Sequence, residues 1–145
     1  MTEGPIADTG ELPARILTPL TAENRSFWTG GERNELLILR CASCRRWTHP
    51  PAARCEECDG VLVAEAVSGR GTVFTFTINH QPYNPAVPVP YAIAIVELAE
   101  QAGLRFTTNI VNCALDAIEI GMPVRVVFEH QGEVFVPVFE PAPRV

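Results

Sequence analysis

Residues 41–58, CASCRRWTHPPAARCEEC, decide the fold because they hold four of the five cysteines of the chain. The thiols form two Cys-x-x-Cys pairs, Cys41 with Cys44 and Cys55 with Cys58, separated by a ten-residue spacer. Two such turns can present four thiolates as the tetrahedron that Zn²⁺ prefers, with Zn–S bonds of about 2.3 Å. Because four protein ligands fill the coordination shell, the spacing predicts a structural zinc site rather than a catalytic one.

Other uses of the cysteines stay open at this stage. Iron accepts the same four ligands in a rubredoxin-like site, but such turns usually carry Gly after the second cysteine, where this chain has Arg45 and Asp59. A redox dithiol needs a βαβ setting that the sequence lacks. His49 could replace one cysteine, although with four cysteines present we expect it at the surface or beside the ligands. Cys113 has no Cys-His signature around it, and we predict a small buried side chain rather than a nucleophile.

The composition describes a globular and acidic chain. Its 145 residues are 47% hydrophobic and 19% charged, which suits one domain or a small domain with an appended module. With 11 Lys and Arg against 17 Asp and Glu, the formal net charge of −6 disfavours nucleic acid as a partner. No apolar stretch is long enough to span a membrane, and the first residues do not resemble a secretory signal, so we expect a cytoplasmic protein with reduced thiols.

The sequence around the cysteines predicts a mainly β protein in five segments. These are a mobile arm (1–14), a helical segment (15–34), a zinc ribbon with four cysteine ligands (35–67), an OB-fold barrel (68–140) and a tail (141–145). In the helical segment, Thr21 is expected to cap a short helix that Gly30 and Gly31 end. LLILR (36–40) and VLVAEAV (61–67) are predicted to be the ribbon strands.

The part of the chain after residue 69 has an all-β pattern. Five runs rich in apolar and β-branched residues predict five strands: GTVFTFTINH (71–80), YAIAIVEL (91–98), LRFTTNIV (104–111), PVRVVFEH (123–130) and EVFVPVFE (133–140). QPYNPAVPVP (81–90) holds four prolines and predicts a stiff, extended loop, and NCALDAIEIG (112–121) predicts a connector with a helical turn. Five strands without a long helix favour a small Greek-key barrel of the OB type.

Aromatic and histidine side chains are the remaining candidates for contacts. His80 and Tyr83 lie where a strand gives way to the proline-rich loop, and they form either a ligand or partner surface or the polar edge of a loop. Phe27 and Trp28 are either an interaction anchor or the packing face of the first helix. The sequence has no Gly-rich phosphate loop, no GxSxG turn and no helix with paired histidines, so no catalytic set is visible.

The order of these motifs resembles the DUF35 family, in which a rubredoxin-like zinc ribbon precedes an OB-fold. The resemblance extends from about residue 16 onward and rests on FWTG, LLILRCASC, HPPAARCEEC, VSGRGTVFTFTINH, PYAIAIVEL, IGMPVRVVFE and VFVPVFEP. Arg45, in a place often held by Gly, is the main departure from the family pattern.

The resemblance implies a non-catalytic partner of a thiolase-superfamily enzyme, with structural zinc in this chain and a CoA thioester as the substrate of the complex. In actinobacterial steroid catabolism, a similar domain accompanies a lipid-transfer-protein-like retro-aldolase that cleaves a 17-hydroxy steroid carboxyl-CoA, and this is the reaction we expect. Alternative partners are a thiolase-type acyltransferase, a CoA synthase or a MaoC-like enoyl-CoA hydratase. The chain is expected to be the DUF35 unit alone, or to be cut from a longer protein.

Under this interpretation, the ribbon and residues 80–91 dock on the enzyme. Aromatic side chains dominate protein interfaces, so the expected contacts are Phe27, Trp28, Trp47, His80 and Tyr83. A free-standing CoA- or acyl-binding module is a second class of function, in which Arg70, Arg105 and Arg125 would contact the CoA phosphates. Single-stranded nucleic-acid binding rests on OB-fold analogy alone, and the acidic charge disfavours it.

Overall fold

The structure, a computed structural model, describes residues 6–7, 15 and 17–143. Strand β1 is Ile6–Ala7, helix α1 is Arg25–Thr29, and a 3-10 helix, Gly30–Arg33, follows α1 directly. Three further strands then surround the cysteines: β2 Leu36–Cys41, β3 Trp47–Thr48 and β4 Leu62–Val67. Apart from β1, which pairs with a later strand, the predicted mobile arm lies outside the described residues.

The ribbon strands form an antiparallel sheet in the order β3-β2-β4. One face of this sheet is buried, with Leu36 and Ile38 of β2 each 1% exposed and Trp47 of β3 at 7%. The two predicted ribbon strands are confirmed. β3 was not predicted, because two residues are too short to give a period in sequence.

The second sheet is built from β5 Arg70–Asn79, β6 Tyr91–Leu98, β7 Arg105–Ile110, β8 Pro123–Gln131 and β9 Val134–Pro141. The strand order is β8-β5-β6-β7-β9, and β8 also pairs with β9, which closes a five-stranded barrel. Its pairings are antiparallel except for the parallel contact of β7 with β9 at Ile110 and Phe139. The predicted OB-fold barrel is therefore confirmed.

A β-bulge in β5 changes which side chains of the strand face the core. The register with β6 shifts between Val73 and Thr75, so that Val73 points into the core at 1% exposure while Phe74 is 45% exposed. The guanidinium of Arg105 covers the ring of Phe74 at 3.8 Å from the centroid. After the bulge, Phe76 packs against the core, as bulges allow when they change which side chains face inward.

The N-terminal helical segment differs from the prediction at both ends. Thr21 and Asn24 exchange two hydrogen bonds, since Thr21 N–H donates to Asn24 Oδ1 (2.7 Å) and Asn24 N–H donates to Thr21 Oγ1 (3.2 Å). Thr21 thus caps the turn that precedes α1, whose own N-cap residue is Asn24. Gly30 ends α1, but the helical path continues as the 3-10 helix until Asn34, at φ 61°, reverses it.

The connector between β7 and β8 contains the predicted helical turn, a 3-10 helix at Leu115–Ala117. Within the described residues, no helix is long and apolar enough to cross a membrane.

Candidate metal centre and aromatic groove

The four cysteines of the two turns meet at one point at the end of the ribbon. All four sulphur atoms lie within 4.8 Å of one another. The Sγ atoms of Cys41 and Cys58 are 3.4 Å apart, and those of Cys44 and Cys55 are 3.7 Å apart. Bonds of about 2.3 Å to a tetrahedral Zn²⁺ require sulphur separations of about 3.8 Å. The donor set and its spacing therefore fit a four-coordinate zinc ion with no position left for substrate.

Both turns have the same backbone geometry. Arg45 N–H donates to Cys41 O at 3.0 Å, and Asp59 N–H donates to Cys55 O at 2.9 Å. Arg45 has φ 67° and Asp59 has φ 63°, a left-handed conformation that glycine adopts most readily. This explains why Gly is usual at both places and shows that Arg45 does not displace a ligand.

Gly60 makes room for the sulphur atoms. A Cβ atom at this position would lie 2.7 Å from Cys41 Sγ and 3.2 Å from Cys58 Sγ. The N–H groups of Ser43 and Cys44 also point at Cys41 Sγ, each at 3.4 Å. These donors, with Cys44 first, lower the pKa of Cys41 to about 6, which favours the thiolate that a metal ion binds.

The five residues that were expected at a partner surface differ in their solvent exposure. Tyr83 is 81% exposed and His80 is exposed, both in the loop between β5 and β6. Trp28 is half-buried against the core. Phe27 and Trp47 are only 6% and 7% exposed and offer little surface in this chain, so their place at an interface stays a prediction. Phe27 belongs to the buried core, and Trp47 is covered by the Arg40 guanidinium at 4.5 Å from the ring centroid.

The three arginines expected at CoA phosphates do not form one cluster. Arg70 and Arg125 are direct partners across β5 and β8 and line one open groove, whereas Arg105 does not line it. Arg105 is paired with Glu97 at 2.7 Å, and this ion pair lowers the pKa of Glu97. Arg125 is paired with Glu140 at 2.8 Å. Arg70 alone has no side-chain partner among the described residues.

His49 lies among aromatic rings and not beside the metal site. Its ring centroid is 4.9 Å from that of Phe27 and 5.4 Å from that of Phe106, while Phe27 and Phe106 are 5.9 Å apart. Burial lowers the pKa of His49 to about 4, so the imidazole is neutral at neutral pH. The three rings line a groove of about 800 Å³, which we call the aromatic groove. Sequence reasoning missed it because its residues come from four separate segments.

Cys113 is half-buried and packs against the barrel core. Burial raises the pKa of its thiol, which disfavours a reactive thiolate at neutral pH.

Comparison with known proteins supports the two-module architecture. Residues 28–62 match the family model described as "ChsH2, rubredoxin-like zinc ribbon domain", and residues 64–129 match "ChsH2, C-terminal OB-fold domain". A "DUF35 domain-containing scaffold protein" of Methanocaldococcus jannaschii is 37% identical over 102 residues, which cover 68% of this chain and 71% of that protein. This chain belongs to the DUF35 family.

Two relatives of the DUF35 chain carry hydratase names. One is a "Probable enoyl-CoA hydratase alpha subunit" of Thermomonospora curvata, 41% identical over 138 residues, or 91% of this chain. The other is the "3-oxo-4,17-pregnadiene-20-carboxyl-CoA hydratase alpha subunit" of Mycobacterium tuberculosis, 36% identical over 118 residues, or 80% of this chain. The matches span only 42% and 37% of those two proteins.

A solved structure described as "Ltp2-ChsH2(DUF35) aldolase" contains a chain that superposes on the DUF35 chain with a TM-score of 0.79. The two are 36% identical, and the match covers 88% of this chain and 100% of that one.

Proposed function

We propose that this chain is a non-catalytic accessory subunit of a thiolase-superfamily enzyme that acts on an acyl-CoA. The observation that carries the proposal is the likeness, over the full length of the matched chain, to the DUF35 chain of a protein described as an aldolase. The name of the archaeal relative, a scaffold protein, supports a role without catalysis of its own.

The site chemistry agrees with an accessory role. The cysteine centre offers four ligands to a metal ion, and such a closed centre stabilises a fold instead of binding substrate. When bound, zinc would cross-link the two turns through Cys41, Cys44, Cys55 and Cys58. Within the described part of the chain, Cys113 has no base in hydrogen-bond contact and a raised thiol pKa. The groups that transfer protons in the reaction would therefore come from the enzyme subunit.

The reaction we propose for the complex is retro-aldol cleavage of a steroid side-chain CoA thioester. One relative is named as a hydratase of 3-oxo-4,17-pregnadiene-20-carboxyl-CoA, and water added to the 17(20) double bond of that compound gives a 17-hydroxy acyl-CoA. A base then takes the proton of the 17-hydroxyl group, the C17–C20 bond breaks, and C17 becomes a ketone. The electron pair goes to the thioester enolate, which is protonated at C20 and leaves as a three-carbon acyl-CoA.

The loop between β5 and β6 is the surface we propose for the enzyme subunit. Among the described residues, Tyr83 is the most exposed large hydrophobic side chain, at 81%. The loop around it is held by short-range bonds, including Tyr83 N–H to Gln81 O at 2.9 Å and Asn79 Nδ2 to Gln81 O at 2.9 Å. A preorganised loop loses little conformational entropy on binding, so an exposed aromatic on it suits an interface anchor.

We also propose a direct contact of this chain with the phosphates of CoA. Arg70 is the first candidate, because no carboxylate among the described residues pairs with it, and it lies directly across from Arg125 in the same groove. Arg105 and Arg125 are weaker candidates, since Glu97 and Glu140 respectively already neutralise them.

A partnership with an enoyl-CoA hydratase is the second candidate function. The 41% identity to part of a hydratase alpha subunit favours it, and the chain would then be the scaffold portion that accompanies a hydratase.

Co-purification separates the two candidates. The tagged chain would be co-expressed separately with a lipid-transfer-protein-like thiolase homologue and with a MaoC-like hydratase from its own genome. The proposal expects a stoichiometric complex with the thiolase homologue on size-exclusion chromatography with light scattering. A complex with the hydratase alone would replace the first candidate by the second.

A further inference from the structure

The aromatic groove described above is built where four parts of the chain converge. Its walls come from the segment before α1 and α1 itself, from the ribbon loop after β3, from the loop before β6, and from the barrel strands. Its volume of about 800 Å³ falls within the range of roughly 300–1,000 Å³ that is typical of small-molecule sites. A groove with walls from several elements is rigid only when those elements are fixed to one another.

The structure fixes one wall firmly at Arg15. The Arg15 guanidinium binds Glu129 Oε1 through Nε (2.8 Å) and Nη2 (2.7 Å), and its Nη1 donates to Asn109 Oδ1 (3.0 Å). The main chain of Arg15 also exchanges two hydrogen bonds of 2.9 Å with the side-chain amide of Gln131. The segment before α1 is therefore tied to the barrel along one side of the groove.

The charges in the groove cancel each other. Arg15 and Glu129 both line it, and each neutralises the other. His49 is neutral at neutral pH. A groove without an unbalanced charge does not favour phosphate or carboxylate ligands, and its other walls are mostly aliphatic and aromatic. The chemistry favours an uncharged and largely apolar ligand.

His49 supplies the polar group that such a ligand would need. Its ring packs against Phe27 and Phe106, but neither of its nitrogen atoms has a hydrogen-bond partner among the described residues. A neutral imidazole has one N–H donor and one nitrogen acceptor. When neither has a protein partner, they can hydrogen-bond to a ketone or a hydroxyl group of a ligand in the groove. Phe27, Trp28 and Phe106 also line the groove, and their rings pack edge to face, so this wall is rigid. A rigid wall favours a rigid, fused-ring ligand over a flexible chain, because the rigid ligand loses less conformational entropy on binding.

We infer that the aromatic groove binds an uncharged polycyclic ligand, with a ketone or hydroxyl group of the ligand hydrogen-bonded to His49. The inference stands on the groove of the isolated chain and does not require the partner enzyme. A steroid nucleus belongs to this chemical class. The 3,17-diketone that retro-aldol cleavage would release is therefore a suitable probe.

The test is titration of the zinc-loaded isolated chain with androst-4-ene-3,17-dione, monitored by calorimetry and by the fluorescence of its two tryptophans, of which Trp28 lines the groove. We expect saturable 1:1 binding. His49→Phe keeps an aromatic ring of similar size between Phe27 and Phe106 but removes both nitrogens, and we expect about a tenfold loss of affinity. The matched control is His130→Phe, which changes an exposed histidine outside the groove and should leave the affinity unchanged.

Three outcomes would overturn the inference. One is absence of binding up to the solubility limit of the steroid, with urea unfolding showing the chain intact. Another is equal affinity of the wild-type chain and the His49→Phe variant. The third is that His49→Phe weakens the complex with the enzyme subunit while steroid binding is absent, which would assign the groove to that subunit. Because steroid binding and complex formation are measured separately, the inference and the proposed function can fail independently.

Discussion

The side-chain amide of Gln101 forms two hydrogen bonds with the backbone of Trp47. Trp47 N–H donates to Gln101 Oε1 at 2.9 Å, and Gln101 Nε2 donates to Trp47 O at 3.1 Å. Gln101 lies in the turn between β6 and β7, whereas Trp47 lies in β3 of the ribbon. The amide occupies the outer edge of β3 as a neighbouring strand would, and in this way it joins the zinc ribbon to the barrel across 54 residues of sequence.

Gln101→Ala should uncouple the ribbon from the barrel. It leaves a buried donor and a buried acceptor without partners, and we expect a loss of about 1–3 kcal/mol in the free energy of unfolding. Urea unfolding followed by tryptophan fluorescence measures this loss. Gln81→Ala, at an exposed glutamine, is the control. Equal urea midpoints for the wild-type chain and Gln101→Ala would show that this pair of hydrogen bonds does not contribute to stability.

The sequence predicts those features that local patterns determine. The zinc site follows from two Cys-x-x-Cys turns, and the barrel strands follow from runs of β-branched and apolar residues. The bulge at Phe74 could not be predicted, because an alternating pattern reads the same on both sides of it until the pairing with β6 is known. The packing of His49 and Trp47 could not be predicted either, since it depends on contacts with Phe106 and Gln101, more than fifty residues away.

Gly60→Ala should weaken zinc binding without removing a ligand. The added methyl group would lie 2.7 Å from Cys41 Sγ, so the ligands must shift apart, and we expect a loss of about 10- to 100-fold in zinc affinity. Competition with a chromophoric chelator measures this affinity.

The control for Gly60→Ala is Gly121→Ala. Gly121 has φ +88° and no atom within 4 Å of an added Cβ, so this substitution strains the backbone far from the cysteines. We expect Gly121→Ala to lower stability while zinc affinity is retained. If both variants bound zinc as the wild type does, the role assigned to Gly60 would be wrong.

Burial of His49 should make folding sensitive to pH. The folded-state pKa of about 4 lies below the ordinary value of 6.5, so the unfolded chain takes up the proton first as the pH falls. The stabilising contribution is complete above pH 6.5 and is lost as the pH falls through 4. The full loss is about 3 kcal/mol.

Loss of zinc at low pH also destabilises the chain, and it does so in every variant that keeps the four cysteines. Comparison of two histidine variants with the wild type therefore separates the protonation of His49 from the loss of zinc. Unfolding free energies between pH 8 and pH 4 should fall less steeply for His49→Phe than for the wild type. His130→Phe should follow the wild-type curve. Parallel curves for all three proteins would contradict the placement of His49 as a half-buried neutral side chain.

Tyr83→Ala should weaken assembly with the enzyme subunit and leave the fold unchanged. The side chain is 81% exposed, so its loss removes almost no contact within the chain. We expect at least about a tenfold loss of affinity for the enzyme subunit, measured by surface plasmon resonance. Phe74→Ala is the control, because Phe74 is also an exposed aromatic but lies in β5, outside the loop. Equal affinities for Tyr83→Ala and the wild type would place the interface elsewhere.

The most direct test of the accessory role is a reconstitution assay. A thiolase-superfamily subunit from the same genome would be given a 17-hydroxy steroid carboxyl-CoA with and without this chain, and release of the three-carbon acyl-CoA would be followed. We predict cleavage only when both chains are present, and none by this chain alone. Equal cleavage by the enzyme subunit with and without this chain would contradict the central claim.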